Sequence, residues 1–127
     1  MIQSPPSYSQ VVVVVSKDSV VESLNNQQVA NIFLAKSNRF PNGNKATPIE
    51  IKNNAIRAKF YHSITGKSEN QLNAYWTTLV FTGKGKPPKN LPNYDNLMMQ
   101  LLNKPDAISY MLANQVTNNL KVVYKFP

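Results

Sequence analysis

No cysteine occurs in the 127 residues. Disulfides, thiol catalysis and Cys-based zinc sites are excluded on that ground alone. Histidine occurs once, at His62, on a predicted helix over 55–65 and to one side of its apolar stripe Ile56–Phe60–Ile64. Its neighbour Ser63 cannot face it, because adjacent residues on a helix diverge. His62 therefore reads as a surface or core-edge residue rather than a catalyst. Acids are scarce: Asp18, Glu22, Glu50, Glu69, Asp95 and Asp106. Apart from the i, i+4 pair Asp18 and Glu22, a weak signal, they show no shared spacing on one element. Metal binding is not supported, and neither a cofactor nor an enzymatic activity is expected. No apolar run approaches the roughly 18 residues of a membrane span. The longest, Val11–Val15, has the length of a buried strand. Residues 1–10 lack the basic start and apolar stretch of a secretory leader.

What the chain has in excess is positive charge. Fourteen Lys and Arg against six acids give +8, and no acid lies between Glu22 and Glu50 or between Glu69 and Asp95. Such a surface attracts nucleic acid, small anions, anionic lipid or acidic proteins, and charge alone does not choose among them. The length suits one domain with a real core. Residues 1–10, rich in Pro and Ser, read as a flexible lead-in, and residues 11–127 as the domain.

Periodicity organises the rest. Val11–Ser16 is β-branched and continuous, the pattern of a strand covered on both faces. Val29, Ile32 and Phe33 predict a helix over 26–36, capped by Asn25 or Asn26. Pro41-Asn42-Gly43 marks a turn, and 47–51 a second strand with Ile49 and Ile51 on one side. Gly66 suits the left-handed close of the 55–65 helix. Ser68-Glu69-Asn70-Gln71 has the form of a capping box. Leu72, Tyr75, Trp76, Leu79 and Val80 continue that helix at i, i+3, i+4, i+7 and i+8. A helix over 96–103 and closing strands over 107–112 and 120–124 complete an α/β chain with a small mixed β-sheet flanked by helices.

Gly83-Lys84-Gly85-Lys86-Pro87-Pro88 invites reading as a phosphate cradle. A P-loop, however, follows a strand, precedes a helix and carries Ser or Thr after its Lys. This stretch follows a helix and runs into prolines, which have no N–H to offer. It reads as a helix exit, with glycine at C′ and lysines suited to the dipole. Tyr75, Trp76 and Phe81 near lysines could stack bases, but they fall on the apolar stripe and read as core. A better candidate for anion binding is Asn53-Asn54-Ala55 with Arg57, where a strand gives way to a helix and free amides meet a guanidinium.

"QQVANIFLAKSNRFPNGNKATPIEI", "IRAKFYHSITG", "NAYWTTLVFTGKGKPP" and "PDAISYML" occur in that order. Together, over roughly 11–123, they resemble the substrate-binding proteins of phosphate ABC transporters, in particular a group of short, single-lobe chains. The resemblance implies one lobe of a type II periplasmic binding protein, a periplasmic location, and a leader removed before residue 1. It also implies that phosphate or another small anion is gripped where the family reads Ser-Gly-Thr-Arg. Arg57 matches the Arg, whereas Asn53-Asn54-Ala55 departs from Ser-Gly-Thr and lacks the glycine that lets backbone approach an anion. Ala35 stands where the family has glycine in I-F-L-G-K. Asp106 and Ser109 replace the two glycines of G-A-I-G-Y-V.

Two functions follow as expectations. One is weak anion binding through Asn53, Asn54 and Arg57, since a single lobe offers an open shelf unless a second copy, paired through a free sheet edge, completes it. The other is a non-catalytic scaffold whose basic face, Lys84, Lys86 and Lys89, contacts an acidic partner or an envelope protein. Nucleic-acid binding rests on charge only and ranks last.

Overall fold

The computed structural model describes residues 10–52 and 55–126. Among the described residues five strands and four α-helices follow in the order β1 (Val11–Ser16), α1 (Asn26–Phe33), β2 (Thr47–Glu50), α2 (Arg57–Thr65), α3 (Glu69–Phe81), β3 (Lys89–Asn90), α4 (Tyr94–Asn103), β4 (Ala107–Leu112) and β5 (Leu120–Lys125). The sheet order is β3-β2-β4-β1-β5. β1 pairs antiparallel with β4 and β5, while β2 pairs parallel with β3 and β4.

The valine run explains the layering. All of Val11–Ser16 is buried. Because strand side chains alternate between faces, Val11, Val13 and Val15 join one core, with Phe33, Phe60, Trp76 and Tyr110. Val12 and Val14 join a second, with Ile49, Leu97, Leu101 and Met111. Helices α1–α3 contribute to the first core and α4 to the second. Each fully buried valine stabilises the fold by roughly 1.5–3 kcal/mol, which is why a continuous apolar run suits this position.

The helix starts follow their sequence signals. Asn25 and Gln28 form a capping box on α1, Ser68 and Gln71 form one on α3, and Asn93 caps α4. Gly66 closes α2 with φ 75°. At the end of α3, Gly83 takes φ 71°, its N–H reaches the Val80 carbonyl, and the Lys84 N–H reaches that of Leu79. This is a Schellman exit.

Three details depart from expectation. α1 stops at Phe33 rather than residue 36, because Ala35 adopts φ 60° and cannot continue a right-handed helix. β3 was not anticipated: two residues behind Pro87-Pro88 pair with Ile49 and Glu50. On α3 the stripe gives out early, leaving Val80 53% and Phe81 89% exposed while Leu72 and Trp76 are buried.

Candidate functional site

β2 ends at Glu50, and the next helix, α2, begins at Arg57. Asn53 and Asn54, the proposed amide donors, lie outside the described residues. Arg57 is the first residue of α2, and its guanidinium turns inward. Its Nε lies 3.4 Å from Glu50 Oε2, and its Cζ sits 5.1 Å from the centroid of the Tyr61 ring. The Arg57 side chain is 13% exposed and that of Glu50 3%. The Glu50 carboxylate also accepts a hydrogen bond from Tyr110 Oη at 2.9 Å.

A buried carboxylate needs such company, since an isolated charge in an apolar interior costs several kcal/mol. Here one oxygen faces the cation and the other takes a phenol. Burial, then the negative charge of Glu50, pushes the Tyr110 hydroxyl far above its ordinary value. The same two causes raise Tyr61. Around them pack Phe60, stacked on Tyr110 at 3.9 Å, and Phe33, edge-on to Phe60 at 4.9 Å. The cluster is therefore a fixed, dry base beneath the start of α2. Sequence reasoning identified Arg57 but not Glu50, whose place opposite Ile49 and Ile51 on the strand was the available signal.

The lysines that sequence analysis assigned to a basic face gather at the other end of β2. An open groove of about 750 Å³ is lined by Lys84, Lys86 and Lys89, by Lys36 from the exit of α1, and by Thr47 and Pro48 at the start of β2. Lys36 was missed, because no spacing rule connects the end of one helix to a loop some fifty residues later. Gly85 holds the two walls together: a Cβ built there would meet Leu79 Cδ2 at 3.0 Å and Ala35 Cβ at 3.3 Å.

The remaining candidates are quickly placed. His62 and Ser63 are exposed. Asp106 Oδ2 accepts the Thr47 hydroxyl at 2.6 Å. Ser109 is buried, with no partner for its hydroxyl among the described residues. Among those residues no group of three or more His, Cys, Asp or Glu side chains could hold a metal, and no helix is long and apolar enough to cross a membrane.

No family profile matches the chain, and no curated protein matches it. Solved structures do. An ABC-type phosphate transport receptor from Vibrio cholerae superposes with a TM-score of 0.68 at 14% identity, over 90% of this chain and 45% of its own. A protein described as a phosphate ABC transporter substrate-binding protein, with bound phosphate, from Clostridium perfringens gives 0.65 at 14% identity, over 90% and 44%. One described as a phosphate binding protein from Planctomyces limnophilus gives 0.65 at 14%, over 90% and 40%. The chain thus spans less than half the length of each. At this identity the likeness is one of fold: a mixed sheet flanked by helices, as in one lobe of a periplasmic binding protein.

Proposed function

We propose that this chain is a non-enzymatic, periplasmic solute-binding-like module that holds phosphate or a similarly small anion weakly, in association with an ABC transporter. The observation that carries the reading is the fold shared with phosphate receptors, one of them with phosphate bound. The residues assigned to the anion are Arg57, at the first turn of α2, and Asn53 and Asn54, which precede it in sequence. Binding is weak because Glu50 already draws on the guanidinium.

A ligand at ten times its dissociation constant stabilises the native state by about 1.4 kcal/mol. For a domain of this size that is a rise of roughly 4–7 °C in Tm. Millimolar phosphate should produce such a rise, and Arg57→Lys, which keeps the charge beside Glu50 but loses the planar fork, should shrink it. If neither phosphate nor sulfate moves the transition at millimolar concentration, the reading fails.

The lysine groove favours a second reading, an interaction protein that uses an inherited binding-protein fold and its basic surface to contact an acidic partner.

A further inference from the structure

We infer that the groove between the exit of α1 and the loop over 84–89 binds an extended acidic segment of a partner protein. The inference rests on the second reading above and is independent of the phosphate reading. Lys36, Lys84, Lys86 and Lys89 stand around one groove whose lining includes no acid. None of the four makes a side-chain hydrogen bond or ion pair with another described residue. Lys17, Lys45, Lys52, Lys59, Lys104 and Lys125 likewise lack such partners among the described residues, so what distinguishes the four is their convergence on one groove. Four unpaired charges facing one concavity raise the local potential for an anionic occupant.

The shape and lining narrow the chemistry. At about 750 Å³ the groove far exceeds a phosphate ion and lies in the range of sites that enclose larger ligands. Its apolar lining is formed by Ile32, Ala35, Ala46, Pro48, Pro87 and Pro88, beside the polar Ser37, Asn38 and Thr47. No aromatic lines it to stack a base, and no arginine offers the bidentate fork that suits phosphodiesters. Carboxylates interleaved with small aliphatic side chains match both the lysines and the apolar part of the lining. The walls are preset by the Schellman exit, the tight Gly85 contact and two prolines of fixed φ. Little ordering is then lost on binding.

The test uses a fluorescent peptide of about ten residues, some 33 Å when extended, alternating Glu with Ala and Val. A second peptide carries Gln for every Glu. Anisotropy should show salt-sensitive binding of the first and none of the second. Lys84→Glu/Lys86→Glu/Lys89→Glu, and separately Lys36→Glu, should each weaken it by about tenfold or more. Lys17→Glu/Lys59→Glu/Lys125→Glu makes the same charge change at exposed sites outside the groove; it should leave affinity within about twofold, short-range contacts mattering more than net charge. Melting curves verify that each variant is folded. The inference is overturned if the acidic peptide does not bind, or if the control triple weakens it as much as the groove triple. It is also overturned if mixed-sequence single-stranded DNA, polyphosphate or phosphatidylglycerol vesicles displace the peptide and bind more tightly. Phosphate binding is read separately in the thermal shift, so either reading can fail alone.

Discussion

Tyr110 and Glu50, sixty residues apart in sequence, meet across the β2–β4 pair, the phenol donating to the carboxylate at 2.9 Å. The bond lies in a buried aromatic cluster and sets how the fold responds to alkali. Tyr110 and Tyr61 keep their protons in the native state well above the ordinary tyrosine range, because burial and the Glu50 charge both disfavour the phenolate. In the unfolded chain each ionises near pH 10. The native state then binds more protons than the unfolded one, so stability is fully present below about pH 10 and declines as pH rises beyond it. The slope approaches about 1.4 kcal/mol per pH unit for each tyrosine. Urea unfolding at stepped alkaline pH should show this decline. Tyr110→Phe should make it shallower while costing roughly 1–3 kcal/mol at neutral pH, because a buried carboxylate oxygen loses its donor. An unchanged alkaline slope in that variant would contradict the assignment.

Ala35 holds a left-handed φ of 60° directly after α1. For an L-residue with a Cβ that conformation costs roughly 1–2 kcal/mol. Ala35→Gly should raise stability by about 1 kcal/mol, or some 3–5 °C in Tm. Ala30→Gly, inside the same helix, should lower stability by about 1 kcal/mol or more. Opposite signs from the same chemical change, read by calorimetry, would locate the helix end where the backbone angles put it.

Trp76 and Phe81 sit on one helix, yet only Trp76 is buried. Trp76→Ala should cost roughly 3–5 kcal/mol. Phe81→Ser should stay within about 0.5 kcal/mol of the parent. Denaturant midpoints for the two variants would separate them cleanly, and equal losses would mean that the end of α3 packs differently.

Sequence periodicity revealed most of the elements where local chemistry dictates them. The cap at Asn25, the capping box at Ser68, the glycine at 66 and the valine run each act through neighbours a few residues away. What escaped depends on distant contacts. Lys89 and Asn90 become a strand only because β2 lies beside them. Phe81, grouped with the stripe for being aromatic, lies nine residues after Leu72 and so on the opposite, solvent face of α3. Arg57 was singled out for its charge, while its pairing with Glu50 needed the strand and helix to be placed together. Lys36 joined the other lysines for the same reason. The left-handed Ala35 stands where the resembling family has glycine, so a departure from a motif coincided with a strained backbone angle.

Among the described residues β1 finds its sheet neighbours only in β4 and β5, which follow β2 and β3 along the chain. During synthesis the five valines must wait until β4 and β5 have left the ribosome. Throughout that interval they form a β-prone, uncharged segment with no partner. The segment therefore stays unpaired until β4 and β5 have emerged, and a chaperone that shields it would act over that interval.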